Sequence, residues 1–349
     1  MLLECFAPNF AKLHNNLAGN ILTVTEAMVR CGSSNTSSIA RALCVMNNES
    51  LKANDMRIYR LMKNKNFQLN DSFWRCYVKS VFSLLREQNL IRKSIGEVAV
   101  IVDFTSDRDD FLILCASIQA GSITVPIYFS MRNYPKRRDQ MDQKKMEQAF
   151  VKALRHILPK GYKYRIIADR GFGNNRFIGL CLDSCFDTAI RLQPNMKISC
   201  GEKKGLMENV LSEDGVYECT IIPWKMQFRI VRKTEDGSTW FISTNSSKEE
   251  AFKVASIYEQ RFKIEKVFQN LKSSGFDIEN SKIKKYQNFQ RILFLSCFAY
   301  SLILLLGRIV DTKIVAFKKN SPISTNLLTA CLSLDFFSYD STQKKLSPL

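Results

Sequence analysis

The alternation of apolar and polar positions divides the chain into contrasting textures. Residues 98–104, VAVIVDF, are a nearly continuous β-branched run, which predicts a strand buried on both faces. FLILCASI (111–118) and SITVPIYF (122–129) follow, joined by Ala-Gly-Ser, and predict a hairpin. After the charged stretch RNYPKRRDQ, Met146, Phe150, Ala153, Leu154, Ile157 and Leu158 recur at helical spacing until Pro159–Gly161 ends the pattern. YRIIAD (164–169) then reads as a strand, NRFIGLCLD as a short helix and FDTAIRL (186–192) as a strand. Three strands, helix, strand, helix, strand describes an α/β domain with a mixed sheet. Between 195 and 247 the short β-like runs VYECTIIPW, FRIVRK and TWFISTN predict a β-rich insertion subdomain. Ser246–Glu250 then supplies a helix start with early acids, and one long helix is expected from there to Lys272.

Residues 1–95 have a different pattern. TEAMVRC, TSSIARALCVM, MRIYRLMKN and DSFWRCYVKSVFSLLRE carry apolar residues at spacings of three and four, with Gly, Asn and Ser breaks between them. An all-helical domain is expected there. Its 13 basic residues against 6 acidic ones suit DNA contacts, although a bundle with a solvated basic face fits as well, and no helix-turn-helix spacing stands out. Ile292–Leu306 is apolar over 15 residues, short of the roughly 20 that a bilayer crossing needs, and Ser296, Tyr300 and Ser301 interrupt it. A buried core helix is expected there, not a membrane span. The start of the chain carries Glu4 and no basic region, so no signal peptide is expected.

Charge narrows the partners. With 51 Lys and Arg against 33 Asp and Glu the net charge is +18, which points to a polyanion because each neutralised phosphate releases condensed counterions. The 11 Cys are odd in number and scattered, which argues against a disulfide framework and for a reducing cytoplasm. Cys181 and Cys185 stand alone as a pair, with 2 His in the whole chain, which argues against zinc.

Three acids occupy costly positions. Asp103 ends one apolar strand and Asp169 another, where an ionised carboxylate is tolerated if it is hydrogen-bonded, paired or metal-bound. Ligands commonly bind at the carboxyl ends of strands in such sheets, though each Asp is equally a turn residue or helix cap. The third, Glu265, lies in YEQRFKIEKVFQNLK. At about 100° per residue, Tyr258, Arg261, Glu265 and Lys272 fall within roughly 60° of one another, a single polar stripe. Pairing of Arg261 with Glu265 one helical turn on explains part of it. A metal-binding acid flanked by phosphate-binding groups is the sharper alternative. Asp107, Asp109 and Asp110 read as turn or solvated acids.

The spacing Tyr258–x2–Arg261–x3–Glu265–x6–Lys272 resembles, position for position, the YREK signature of bacterial insertion-sequence transposases of the insertion-sequence-four group, and within it the transposon-ten insertion-sequence transposase. The resemblance extends over VDFTSDRDDF, ADRGF and WFISTN, across roughly residues 20–310. It implies an RNase H-like catalytic core in which Asp103, Asp169 and Glu265 form a DDE triad holding two Mg²⁺ ions, with Mn²⁺ able to substitute. By the same resemblance Tyr258, Arg261 and Lys272 hold phosphates near a transposon end, Arg191 is a further phosphate contact, and Trp240 stacks on a flipped base. A Trp packed in the core is the alternative for Trp240.

The domain layout that follows is a helical DNA-binding domain at 1–95, a catalytic core at 96–194 and 248–310, the β insertion at 195–247 and a tail at 311–349. The expected partners are double-stranded DNA, as transposon ends and target, and a second copy of the chain in the synaptic complex, in the bacterial cytoplasm and without a membrane. The expected reaction is cleavage of transposon ends followed by 3′-OH attack on target DNA. The tail departs from the family pattern, which keeps two alternatives in view, an idle DNA-binding remnant and a nuclease on the same core.

Overall fold

In the computed structural model, residues 6, 8–10, 15–92, 97–107, 110–134, 140–273, 275–281 and 283–320 are described. His14, Asp109 and the tail beyond 320 therefore lie outside the described residues. The chain forms a large compact unit, Met1–Leu305, and a small one, Leu306–Leu349.

Ten strands make one sheet in the order β3-β2-β1-β4-β5-β10-β9-β8-β6-β7. β1 (Glu97–Asp107), β2 (Phe111–Ala120) and β3 (Ile123–Asn133) form an antiparallel meander, and Gly121 turns β2 into β3 with a φ of +59° that favours glycine. Pro126, which has no N–H to give a ladder, is accommodated because β3 is the edge strand. β4 (Lys163–Ala168) and β5 (Asp187–Arg191) continue the sheet in parallel on the other side of β1. Two helices supply the crossovers, α5 (Gln140–Ile157) before β4 and α6 (Asn175–Asp183) before β5.

The segment expected as a separate subdomain is instead more of the same sheet. β10 (Ser238–Thr244) pairs antiparallel with β5, and β9 (Met226–Glu235), β8 (Gly215–Ile221), β6 (Lys197–Cys200) and β7 (Lys203–Leu206) follow outward. A short helix, α7 (Met207–Val210), lies between β7 and β8. The β5–β10 ladder thus crosses the boundary expected at 195. Trp240, Ile242 and Val231 join the apolar row that runs from β1 through β4 and β5.

The amino-terminal block is helical, with α1 (Asn15–Cys31), α2 (Thr36–Asn47), α3 (Leu51–Lys63) and α4 (Asp71–Glu87). Asn70 caps α4 by accepting the Phe73 N–H at 3.0 Å. Phe73, Trp74, Tyr77, Val78, Val81, Leu84 and Leu85 form its buried stripe. Two further helices, α8 (Lys248–Glu259) and α9 (Lys263–Lys272), precede the long α10 (Tyr286–Asn320). Phe73 and Tyr77 meet Phe294 of α10 at 4.8 and 5.4 Å between ring centroids. Trp74 meets Tyr128 and Phe129 of β3, so this helix is built into the main core. The buried Arg291 of α10 donates to the carbonyls of Phe67 and Met62 and ties the α3–α4 connection to the same helix.

Among the described residues one helix, Tyr286–Val310, is long and apolar enough to cross a membrane, and 67% of its most apolar window is buried inside the protein. Ile292, Phe294, Leu295, Phe298 and Leu305 of that stretch are fully buried, as a core helix requires.

Candidate active site

The period of two along each strand positions the site. Glu97, Ala99, Ile101 and Asp103 of β1 lie on one face, as do Arg165 and Ile167 of β4, with Asp169 just beyond it, and Asp187, Ala189 and Arg191 of β5. The middle of this face is apolar, and α8 and α9 cover it with Ala251, Val254, Ala255, Tyr258 and Ile264. Its two ends are charged.

At the carboxyl end, Val102 pairs with Ala168 in the parallel register. Asp103 and Asp169 are the next residues on the two strands, so their carboxylates are neighbours at the edge where the apolar floor stops. Asp169 also caps the short turn Arg170–Phe172, accepting the Gly171 N–H at 2.9 Å, so cap and site residue are the same side chain. Asp103 accepts the Phe104 N–H at 2.8 Å and the Arg261 guanidinium at 3.1 Å. Burial, then the nearby Asp169, push the Asp103 carboxyl up to about 6, with Glu265 adding to the rise and Arg261 opposing it.

The helix expected to run unbroken to Lys272 is broken. α8 ends at Glu259, Gln260–Phe262 tighten into a 3₁₀ turn, and α9 resumes at Lys263. The four signature residues therefore do not share one surface stripe. Tyr258 is 1% exposed and packs edge-on against Trp240 at 5.6 Å, with burial raising its hydroxyl to about 12 against the pull of Arg261 and Arg191. Arg261 projects from the 3₁₀ turn and bridges two acids, reaching Asp103 and, at 2.9 Å, the exposed Glu265. Lys272 lies farther along α9, half-buried, where it lines a small cavity with Thr105, Asp107 and Phe289.

The structure thus places Asp169, Arg261 and Glu265 within electrostatic range of Asp103, and Arg261, Arg191 and both aspartates within range of Tyr258, while Lys272 lines the cavity at Thr105 and Asp107. Trp240 takes the core alternative. It is 8% exposed, enclosed by Tyr258 and Phe262 and flanked by Lys233. Trp240→Leu is accordingly expected to cost about 2 kcal/mol of folding stability in a denaturant titration. A variant as stable as the parent would return Trp240 to an exposed role. Asp107, expected as a turn acid, is 1% exposed because β1 stays paired with β2 as far as Asp107 opposite Phe111.

Among the described residues no group of three or more His, Cys, Asp or Glu side chains is arranged to hold a metal ion. The donor set nevertheless suits a hard divalent cation. Asp103 and Glu265 share one guanidinium with Asp169 beside Asp103, and burial first, then Asp169, raises the Asp103 carboxyl.

Carboxylates at the ends of adjacent parallel strands, with a third acid on a covering helix, define a class of site suited to binding a cation and a polyanion together. Residues 138–302 match the sequence model of the family described as the transposase DDE domain, a little under half of the chain. This match supports a DDE transposase. The matched span takes in Asp169, Arg191, Trp240, Tyr258, Arg261, Glu265 and Lys272, while Asp103 and α1–α4 precede it. No curated protein matches the chain. Two solved structures of Endonuclease V from Ciona intestinalis, in complex with DNA containing an inosine followed by a ribo-adenosine, are similar to part of it. The complex with a 24mer has 15% identity and a TM-score of 0.30, over 51% of this chain and 86% of that one. A variant with a 23mer has 15% identity and a TM-score of 0.30, over 52% and 88%.

Proposed function

We propose that the chain is a DDE transposase of the insertion-sequence-four group, which cleaves transposon ends in a metal-dependent reaction and joins them to target DNA by 3′-OH attack. The observation that carries this reading is the register. Val102 opposite Ala168 leaves Asp103 and Asp169 side by side, on the face that the helix bearing Glu265 covers. The strand order β3-β2-β1-β4-β5, antiparallel then parallel, supports an RNase H-like core, and the match to the transposase DDE domain supports the chemistry.

Asp103, Asp169 and Glu265 would hold the divalent ions, Mg²⁺ or Mn²⁺. When bound, two such ions supply activation of the attacking oxygen and stabilisation of the leaving one. Arg261 bridges Asp103 and Glu265, and with those acids holding the ions its planar fork would be free to take a phosphate in bidentate fashion; Arg191 adds positive charge beside Tyr258. No covalent nucleophile on the protein is required. The net charge of +18 suits the duplex, and pairing two ends calls for a homodimer in the synaptic complex. A bacterial cytoplasmic location completes the reading.

The test uses the purified chain, the DNA flanking its own coding sequence, and Mg²⁺ or Mn²⁺. Cleavage at the ends and joining to a plasmid are expected. Glu265→Gln, at an exposed position, is expected to abolish both while leaving the gel-shift affinity for end DNA intact. Full strand transfer by Glu265→Gln would remove Glu265 from the site, and cleavage without joining would make the enzyme a nuclease.

A further inference from the structure

Strand pairing brings two of the scattered cysteines face to face. β6 and β8 run antiparallel, with Ile198 opposite Ile221 and Ser199 opposite Thr220. One step further in the same register places Cys200 opposite Cys219. Side chains alternate in direction along a strand, so both thiols project from the face that carries the fully buried Ile198 and Ile221. Directly opposed residues of an antiparallel pair stand about 4.5 or 5.5 Å apart at Cα, and a disulfide spans about 4.4–6.8 Å. The two thiols are in hydrogen-bond contact. Burial, then the neighbouring Cys200, push the Cys219 thiol up.

The difference in exposure orders a reaction at this pair. Cys200 ends β6 and is half-buried, while Cys219 is 1% exposed, with the buried Phe228 opposite it on β9. A reagent in solvent therefore meets Cys200 first and reaches Cys219 by way of Cys200. The exposed Cys185, after α6, is a solvent-facing thiol for comparison.

The place of the pair in the sheet decides what a bond there would do. The hairpin β6–β7 is the outermost part of the sheet, and β8 is the strand that holds it. β8 pairs with β9 along its whole length, whereas β6 and β8 pair over two residues. A covalent link at Cys200 extends this short ladder by one step and fastens the hairpin to the sheet.

We propose that Cys200 and Cys219 form a dithiol site that small disulfides oxidise reversibly to a cross-strand disulfide. The Cys200 thiolate attacks one sulfur of the reagent, the reagent's S–S bond breaks, and a first thiol leaves. Cys219 then attacks the Cys200 sulfur and expels the second thiol. Two protein S–H groups are oxidised to one S–S bond, the reagent is reduced to two thiols, and both protons leave on them. The second step is the slower one, because the buried Cys219 is held as a thiol and the thiolate is the nucleophile. The site is independent of the transposase reading. Strand alternation from β5 through β10, β9 and β8 puts both cysteines on the sheet face away from the carboxylate site.

The test incubates the reduced full chain with saturating glutathione disulfide, blocks the remaining thiols with iodoacetamide and maps the peptides by mass spectrometry. Peptides joined through Cys200 and Cys219 are expected, lighter by two hydrogens than the reduced pair and separated by dithiothreitol. Cys185 should carry glutathione. Cys219→Ala is expected to trap glutathione on Cys200, and Cys200→Ser to leave Cys219 a free thiol. Amide exchange across Lys197–Cys200 in the parent should slow by at least about tenfold on oxidation. Absence of the link in the parent, glutathione retained on the parent's Cys200, or glutathione on Cys219 of Cys200→Ser overturns the proposal.

Discussion

Asp103→Asn is expected to abolish metal-dependent cleavage and joining and, in the metal-free protein at neutral pH, to make the fold more stable. Both effects have one cause. Burial and the adjacent Asp169 push the Asp103 carboxyl from 3.8 up to about 6. An acid whose folded pKa lies above its unfolded one destabilises the fold once ionised. That cost is absent below about pH 4, grows as pH rises, and is complete above about pH 6. The interval corresponds to about 1–3 kcal/mol at neutral pH. Asn keeps the shape and removes the charge, and Arg261 retains Glu265 as a partner. The thermal midpoint of Asp103→Asn in EDTA should therefore exceed the parent's by several degrees at pH 7.5, and the two should converge near pH 4. Cleavage in Mg²⁺ should fall by at least about 10³-fold, as for loss of an essential electrostatic group. A variant less stable than the parent at pH 7.5 would contradict the crowding of carboxylates. Undiminished cleavage would remove Asp103 from the site.

The parts of the fold that were legible are those coded locally. VAVIVDF and YRIIAD are apolar on both faces because β1 and β4 are central strands, and Ala-Gly-Ser turned out to be the turn it resembles. The two aspartates were legible for the same reason, as polar residues ending apolar runs. What was not legible depends on partners far along the chain. Nothing in Gln260-Arg261-Phe262 breaks a helix by propensity. The 3₁₀ turn goes with tertiary anchors, with Tyr258 sunk against Trp240 on one side and Arg261 drawn to Asp103 on the other. Asp107 read as a turn or solvated acid and became strand because β2 pairs with it. β6 and β7, four residues each, are too short to show a period, and the Lys203–Lys204 pair points to no core. The α2–α3 turn escaped because Asn48 does the work usually done by Gly. The continuity of the sheet from β5 into β10 is a matter of pairing, which no local pattern encodes.

Arg165→Ala is expected to be the most destabilising single substitution in the site's supporting scaffold, at about 3–5 kcal/mol. Arg165 sits within β4 at 2% exposure and closes the end of the sheet face opposite the carboxylate site. Its Nη2 donates to Glu97 Oε1 of β1 at 3.0 Å and lies 3.8 Å from Asp187 of β5, the residue it faces in register. Lys163 and Asn245 complete the cluster at 2.9 and 2.8 Å from Asp187. Burial raises the Glu97 carboxyl despite Arg165, whereas at Asp187 the hydrogen bonds from Lys163, Glu97 and Asn245 outweigh burial and lower it. The arginine is thus the counter-ion of Glu97, while Lys163 and Asn245 hold Asp187. Deleting it leaves Glu97 uncompensated, which costs more than the intact pair contributes. Arg165→Met together with Glu97→Gln and Asp187→Asn removes the three charges least exposed to water, leaves the exposed Lys163 to Glu250, and should recover most of the loss. Because β1, β4 and β5 stay paired from this cluster to the Asp103–Asp169 end, Arg165→Ala should also lower cleavage, and the triple variant should restore it. Urea unfolding of the two variants decides the matter. A loss under about 1 kcal/mol for Arg165→Ala, or no recovery in the triple variant, would show that the register holding the two aspartates together is set elsewhere.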